Sequence, residues 1–280
     1  MKYRDVTDIV TAQEAMEGAG VRIRRTLGSP ALDSLDPFLL LDEFKSAEGA
    51  DYIAGFPDHP HRGFETVTYM LAGAMRHEDH AGNRGELGPG SVQWMTAGKG
   101  IIHSEMPMQR DGLMWGFQLW VNLPAKDKMT SPRYQDIPAD RIVATEHSAG
   151  ALIRVIAGTV DGVTGPVEGI ATSPLYLDIE ISEDSDCTIA VPREHNAFVY
   201  VFDGEGAVGT KLLAAGQLGV LSKGESEAVR LVTTKRPMRA LLLAARALNE
   251  PMVRYGPFVM NTRDEIHQAF EDYKRGTFLG

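Results

Sequence analysis

The stretch from Phe56 to Pro107 constrains the fold of this chain most. It alternates apolar and polar residues, as half-buried strands do, and glycine-rich turns interrupt it. It opens with His59-Pro60-His61 and closes with His103-Ser104-Glu105. Successive side chains of a strand point to opposite faces, so residues two apart share a face. If both pairs lie on neighbouring strands, about 4.8 Å apart, their four side chains can point into one interior.

Three imidazoles and a carboxylate that face one interior form a metal-ligand set. Imidazole suits iron, copper, nickel and zinc, and a mixed nitrogen and oxygen set with open positions suits non-haem Fe(II) chemistry with dioxygen. Single histidines are more often surface or hydrogen-bonded core residues. Each buried polar group without a partner costs about 1–3 kcal/mol, and one metal would remove that cost for the whole set. The spacing alone leaves both Glu105 and Glu65 as the carboxylate, because Glu65 is in phase with the first histidine pair.

Short strand patterns at spacings of about 8–12 residues, separated by glycine-rich turns, continue along the chain and predict an all-β sandwich or barrel. We expect a connection between two domains in Asn122 to Asp140, which contains three prolines and several charges. Residues 215–224 resemble residues 89–98 in pattern, so the second half is predicted to be a copy of the first. The copy has no paired histidine motif, and we expect no second metal site of this type in it.

The end of the chain predicts one amphipathic α-helix. Thr262 and Glu265 have the spacing of a capping box, apolar residues from Ile266 to Tyr273 follow at i, i+3, i+4 and i+7, and Gly276 is a stop signal. We expect this helix to pack its apolar stripe on the outside of a barrel as a structural clasp.

Composition excludes several classes of function. The chain carries 38 acidic against 28 basic residues, a formal net charge of −10, so we expect no direct binding to nucleic acid. No apolar run approaches the roughly 18 residues of a membrane span, and no signal sequence is apparent, so we expect a cytoplasmic protein without membrane contact. The single cysteine, Cys187, follows an acidic run that should raise the pKa of its thiol, and it is predicted to be structural.

Other polar residues resemble site residues less well. The cluster His77-Glu78-Asp79-His80 has the composition of a metal site, but it lies beside a predicted hairpin turn, where charged clusters are normally solvated. His195 is expected to be structural. Among the methionines, Met106 is a pocket candidate because it follows Glu105 directly.

These residues resemble the cupin superfamily, and within it the pirin family. The first cupin motif pairs HxH with a later glutamate, as in His59, His61 and Glu65, and the second appears as Gly98 to His103 with Gly98 in place of proline. The closer resemblance to pirins covers nearly the whole chain. It includes five segments: Asp36 to Phe44, His59 to Tyr69, Gln93 to Gly98, Gly100 to Pro107 and Gly256 to Thr262.

The resemblance implies two cupin barrels in tandem, of the double-stranded β-helix or jelly-roll type. Residues 1–133 would form the metal-binding barrel, and residues 134–280 a degenerate barrel together with the C-terminal helix. The implied ligands of one divalent metal are His59, His61, His103 and Glu105, with Fe(II) expected and Cu, Mn, Ni or Zn as alternatives. Glu65 then becomes a neighbour of the site rather than a ligand.

The resemblance also implies quercetin 2,3-dioxygenase activity. A flavonol would bind through its 3-hydroxyl, Glu105 or else Glu65 would accept the proton, and O2 would open the heterocycle with loss of carbon monoxide. We expect Phe56, Phe64 and Met106 to line the substrate pocket. The alternative is an iron-dependent regulatory protein that binds a transcription factor or a metabolic enzyme, and the acidic composition suits a protein partner. In either case we expect a monomer.

Overall fold

A computed structural model of the chain describes residues 2–148, 150–224 and 226–279. The strands of the first half are β1 (Val6–Thr11), β2 (Gln13–Glu17), β3 (Val21–Leu27), β4 (Phe38–Ser46), β5 (Phe56–His61), β6 (Phe64–Ala72), β7 (Met75–Asp79), β8 (Arg84–Leu87), β9 (Val92–Thr96), β10 (Ile101–Pro107), β11 (Met114–Asn122) and β12 (Arg133–Ile137). The strands of the second half are β13 (Ala144–Ser148), β14 (Ala151–Ala157), β15 (Thr159–Val160), β16 (Val163–Thr164), β17 (Leu175–Ile181), β18 (Asp186–Ala190), β19 (His195–Val208), β20 (Lys211–Ala214), β21 (Gln217–Leu221), β22 (Ala228–Val232), β23 (Met238–Arg246), β24 (Val253–Tyr255) and β25 (Phe258–Met260). One α-helix, α1, spans Arg263–Arg275, and short 3-10 turns lie at Gly49–Asp51, Ala125–Asp127 and Ala139–Arg141.

The strands fall into two compact units, which confirms the predicted all-β class with two barrels and one terminal helix. The first barrel contains Glu14–Gly28, Phe38–Ala139 and Leu248–Gly280. The second barrel contains Met1–Gln13, Ser29–Pro37 and Asp140–Ala247. No helix among the described residues is both long and apolar enough to cross a membrane.

The first barrel consists of two antiparallel sheets with an apolar core between them. One sheet has the strand order β12-β9-β6-β11-β4-β3-β2, and the other has the order β5-β10-β7-β8. Val21, Phe44, Met70, Met75 and Met114 come from strands of both sheets and form one buried cluster. The cluster packs the two sheets against each other, and Phe56 of the histidine-bearing strand β5 packs against it.

The second barrel has an aliphatic interior. Its main sheet runs in the order β1-β21-β19-β23-β17-β14-β13, and the buried cluster inside it consists of residues such as Ile153, Val199 and Leu242. Cys187 belongs to this cluster, and burial, followed by the nearby charge of Asp186, raises the pKa of its thiol to about 12. An unreactive thiol in an apolar interior agrees with the structural role predicted for it.

The two units differ from the predicted boundaries, 1–133 and 134–280, because each unit takes in a segment from the far end of the chain. Strand β1 pairs with β21, with Val10 opposite Leu218, and so belongs to the second barrel. Residues 248–280, including α1, belong to the first barrel. The predicted connection also contains β12, which pairs with β9; Pro132 and Pro138 flank it, and prolines are tolerated at the ends of an edge strand.

The capping pattern at the end of the chain forms as predicted. The Glu265 amide donates to Thr262 Oγ1 at 3.2 Å, the Thr262 amide donates to Glu265 Oε2 at 2.8 Å, and Gly276 ends the helix with a φ of 72°. The buried side of α1, at Ile266 and Ala269, joins an apolar cluster with Phe258 of β25. The predicted clasp is therefore present, but on the first barrel rather than the second.

Candidate metal centre

Strands β5 and β10 bring three of the predicted ligands together. The strands pair antiparallel, with His103 opposite His59 and Ile101 opposite His61, so that the three imidazoles share the inner face. The ring centroid of His59 lies 4.6 Å from that of His61 and 4.4 Å from that of His103. The centroids of His61 and His103 are 5.1 Å apart. One ring nitrogen of each residue lies within 4.8 Å of the others.

The environment of these rings fits a divalent metal. His61 and His103 are 3% and 1% exposed, and burial lowers the pKa of each well below its usual value because the imidazolium form would lose its hydration. Neutral imidazoles keep a nitrogen lone pair for a metal. Within the described residues, His61 Nδ1 and His103 Nε2 are buried without a hydrogen-bond partner, at a cost of about 1–3 kcal/mol each. A metal bound between the three rings would remove that cost.

Glu105, the predicted fourth ligand, lies on the same face of β10 as His103, but its carboxylate accepts hydrogen bonds from two other side chains. Its Oε1 accepts a hydrogen bond from Thr68 Oγ1 at 2.9 Å, and its Oε2 accepts one from Gln118 Nε2 at 3.4 Å. The pairing of β10 with β5 shifts register between His103 and Glu105, because β5 contains one extra residue there and Phe56 lies opposite Glu105. Glu105 is not part of the three-nitrogen cluster, so its role as a ligand stays a prediction.

A cavity of about 570 Å³ in the first barrel opens onto this cluster. His59, His61 and Glu105 contribute to its lining, and Phe44, Phe56 and Trp120 supply aromatic walls. The remaining lining residues are Glu17, Gly18, Ala19, Ile23, Arg25, Leu40, Asp42, Pro57, Asp58, Gln118, Arg254, Gly256 and Pro257. A cavity of this size with apolar walls and a few polar groups suits a small aromatic molecule.

An ion pair between Arg25 and Asp42 forms part of the cavity wall. Arg25 Nε and Nη2 donate to the two carboxylate oxygens of Asp42 at 2.7 and 2.6 Å. Burial raises the pKa of Asp42 to about 6, although Arg25 acts in the opposite direction. The guanidinium of Arg254 lies over the Trp120 ring, 4.9 Å from its centroid. The cavity therefore offers polar groups beside a flat aromatic surface.

The three predicted pocket residues have different positions. Phe56 lines the cavity. Phe64 is fully buried behind it, with its ring 5.0 Å from His61 and 4.4 Å from Trp120, so it supports the site without reaching the cavity. Met106 also does not line the cavity, because residues adjacent in a strand point to opposite faces and Glu105 takes the inner one.

Glu65 does not share the inner face with the histidines, contrary to the predicted phase. Arg62 and Gly63, the latter with a φ of 88°, interrupt the strand after His61, and β6 starts a new alternation. Thr68 reaches Glu105, so Glu65, three residues earlier on β6, points to the opposite face. There its Oε1 accepts a hydrogen bond from Thr96 Oγ1 at 2.7 Å, and burial raises its pKa to about 7.

Replacing Glu65 by glutamine should make the protein more stable at neutral pH but not at acidic pH. The folded carboxyl has a pKa of about 7 against an ordinary value of 4.5, so the folded state holds a proton that the unfolded state releases. The Glu65 carboxyl therefore stabilises the folded state below pH 4.5 relative to higher pH, and this stabilisation is lost as the pH rises to 7. The difference corresponds to about 3 kcal/mol at most.

Urea unfolding of metal-free protein at pH 4.5 and pH 8 measures this effect. Glu65→Gln should match the wild type at pH 4.5 and exceed its free energy of unfolding by about 2–3 kcal/mol at pH 8. An equal difference at the two pH values would show that the Glu65 carboxyl titrates normally.

His77 is the site residue that the sequence reasoning missed. It was predicted to be solvated, but it is 1% exposed, and its Nδ1 lies 3.2 Å from Nδ1 of His103. On β7 it lies directly opposite Glu105 of β10, and side chains opposite each other on paired strands share a face, so His77 points inward as Glu105 does. The alternation of Met75, His77 and Asp79 before the turn was the available signal, since Met75 is a core residue.

Two buried cations hold the turn that follows His61. Arg62 donates to the Lys99 carbonyl, to Asp272 Oδ2 at 2.6 Å and to the Phe278 carbonyl at 3.0 Å. Lys128 is 1% exposed. Its Nζ donates to Gly63 O at 2.8 Å, to Asn122 Oδ1 at 2.7 Å and to Val259 O at 2.8 Å. Burial lowers the pKa of Lys128 to about 7, while the charges of Glu250 and Glu265 act in the opposite direction.

Comparison with known proteins agrees with this architecture in both barrels. The family model described as "Pirin" matches residues 20–121, and the model described as "Pirin C-terminal cupin domain" matches residues 176–279. The chain is 48% identical to a Pseudomonas aeruginosa protein provisionally named a quercetin 2,3-dioxygenase, over 98% of each chain. It is 47% identical to a pirin-like protein of Caulobacter vibrioides, over 99% of this chain and 100% of the relative.

A solved structure shows the same fold over the full length. The crystal structure of a quercetin 2,3-dioxygenase from Acinetobacter baumannii superimposes with a TM-score of 0.91 at 34% identity, covering 99% of each chain. The family models, the full-length relatives and the shared two-barrel fold all lead to one assignment. The chain belongs to the pirin family of two-barrel cupin proteins.

Proposed function

We propose that this protein is a metal-dependent dioxygenase that opens a flavonol such as quercetin with O2, with Fe(II) as the expected metal. The observation that carries the proposal is the cluster of His59, His61 and His103 at a cavity with aromatic walls. The names of the Pseudomonas and Acinetobacter relatives support the same activity.

Different residues of the chain bind the substrate and accept its proton. A divalent ion, when bound, supplies Lewis acidity and, for iron or copper, electron exchange with O2. Glu105 lines the cavity and is the group that accepts the proton of the flavonol 3-hydroxyl. Thr68 and Gln118 hold its carboxylate in place. Trp120 and Phe56 pack against the flat rings of the substrate, while the Arg25–Asp42 pair faces its hydroxyl groups.

Replacing Glu105 by glutamine should lower kcat for quercetin by about 100-fold or more, since a positioned general base contributes about 10²–10⁴-fold. The protein is loaded separately with Fe(II), Cu(II), Mn(II) and Ni(II), and the loss of quercetin absorbance and the release of carbon monoxide are followed under air. Free metal at the same concentration gives the background rate.

Glu65→Gln is the matched control, because Glu65 is also a buried carboxylate of the first barrel but does not line the cavity. We expect this variant to keep turnover within about 3-fold of the wild type. Loss of activity in Glu65→Gln but not in Glu105→Gln would assign the base to Glu65. A wild-type rate equal to that of free metal with every ion would reject the dioxygenase.

One observation favours a second function, an iron-dependent regulatory protein that binds another protein. Arg62 directly follows His61 and pairs with Asp272 of α1, so a contact joins the histidine cluster to a helix with an exposed face. Pull-down with Fe(II)-loaded and Fe(III)-loaded protein tests it. Partners captured in one oxidation state only would support regulation, and identical captures would count against it.

A further inference from the structure

A buried histidine outside the three-nitrogen cluster touches one of its members. His77 on β7 is 1% exposed, and its ring centroid lies 5.0 Å from that of His103, at an interplanar angle of 50°. Their Nδ1 atoms are 3.2 Å apart. His77 neither belongs to the cluster nor lines the cavity, so it contacts a predicted ligand without access to substrate.

Only one of the two facing nitrogens can carry the proton of this hydrogen bond. His103 uses Nδ1 for the contact with His77, and its Nε2 is buried with no hydrogen-bond partner among the described residues. If His77 donated the hydrogen, the proton of a neutral His103 would sit on Nε2 and block coordination there. Metal binding through Nε2 therefore requires His103 to donate from Nδ1 and His77 to accept.

We propose that His77 is a positioning residue, which accepts a hydrogen bond from Nδ1–H of His103 and so directs Nε2 of His103 toward the metal. The inference rests on the metal centre of the proposed function. Metal-binding histidines commonly donate their second ring N–H to an acceptor that fixes the tautomer and the ring orientation, and loss of such a partner costs about 10–100-fold in metal affinity.

The surroundings of His77 hold its ring in this position. Strand β7 pairs with β10 on one side and β8 on the other, and His77 lies directly opposite Glu105 in the first pairing. The ring of Tyr134 meets His77 edge to face, with centroids 4.7 Å apart. Its second nitrogen, Nε2, is buried with no hydrogen-bond partner among the described residues.

The tautomers can be observed directly in the wild-type protein. The probe is Zn(II), which is diamagnetic, and the sample is full-length protein with ¹⁵N-labelled histidine. The chain has eight histidines, so the imidazole nitrogen spectrum can be assigned by single substitutions. We expect His103 to carry its proton on Nδ1 and His77 on Nε2. A neutral His77 protonated on Nδ1 would overturn the proposal without any variant having to fold.

Two substitutions then separate hydrogen bonding from packing. His77→Phe keeps a ring but removes the acceptor, and the Zn(II) affinity, measured by competition with a chromophoric chelator, should fall by about 10–100-fold. His77→Asn places an amide oxygen near the position of Nδ1 and should keep the affinity within about 3-fold of the wild type. Wild-type affinity in His77→Phe, or equal losses in both variants, would contradict a hydrogen-bonding role.

His80→Phe is the matched control, because His80 belongs to the same four-residue motif but is exposed and accepts from the Ile102 amide at 3.4 Å. Its Zn(II) affinity should equal that of the wild type. Neither readout uses substrate or O2, so failure of the dioxygenase proposal leaves both unchanged. Wild-type Zn(II) affinity in His59→Ala would instead show that the metal centre itself is wrongly assigned.

Discussion

Substitution of His61 by alanine is expected to abolish stoichiometric metal binding. His61 is 3% exposed, its ring lies 4.6 Å from His59 and 5.1 Å from His103 between centroids, and it contributes one of the three clustered nitrogens. Loss of an outer partner of a ligand costs up to about 100-fold in affinity, so loss of a ligand should cost more. Alanine also leaves a hydrophobic gap that offers no replacement donor.

Metal content of the purified variant and isothermal titration of the metal-free protein with Fe(II) or Zn(II) measure this loss. His195→Ala is the matched control, because His195 is also a buried histidine, 7% exposed, but lies in the second barrel. It should bind one metal with wild-type affinity. Full metal occupancy in His61→Ala, with the fold intact by circular dichroism, would exclude His61 as a ligand.

The second large effect is expected from Lys128→Met, which should lower the free energy of unfolding of the first barrel by about 3–5 kcal/mol. Methionine fills most of the volume of lysine but donates no hydrogen bond. Gly63 O, Asn122 Oδ1 and Val259 O would each lose a charged donor at 2.7–2.8 Å. Gly63 lies in the turn after His61, and Val259 lies in β25. The variant should therefore also weaken metal binding.

Tryptophan fluorescence reports this unfolding selectively. The three tryptophans, Trp94, Trp115 and Trp120, all lie in the first barrel, so a urea titration followed by fluorescence measures that unit. Lys126→Met, at an exposed neighbouring position, should change the midpoint little. A Lys128→Met midpoint equal to the wild type would mean that the three acceptors find other donors.

Period-two patterns were sufficient to predict the strands around the histidines and the convergence of three imidazoles. The segment Val21 to Leu27, for example, alternates apolar and polar residues in the sequence and forms β3. Strand β12 was missed because it lies among prolines and charges, which predict a connection. Its hydrogen bonds to β9 come from tertiary pairing, which local pattern does not encode.

The site residues that were assigned incorrectly share one physical cause. Glu65 was placed on the histidine face by counting residues across Arg62 and Gly63, but the left-handed backbone of Gly63 resets the alternation. The charged neighbours of His77 predict a solvated side chain, but pairing with β10 puts His77 on the same face as Glu105, where it is 1% exposed. In both cases the face of a side chain depends on backbone geometry that residue types alone do not show, a nearby turn for Glu65 and a paired strand distant in sequence for His77.

Each barrel includes a segment that is remote in sequence from the rest of that barrel, and this affects how the chain can fold during its synthesis. The first barrel includes residues 248–280, which supply β24, β25 and α1 and follow all segments of the second barrel in the sequence. The ribosome has therefore made the histidine-bearing strands long before Asp272 and Phe278 can anchor Arg62 beside them. All segments of the second barrel precede Asp272 and Phe278 in the sequence, so the surroundings of the histidine cluster should be completed only after the second barrel has been synthesised.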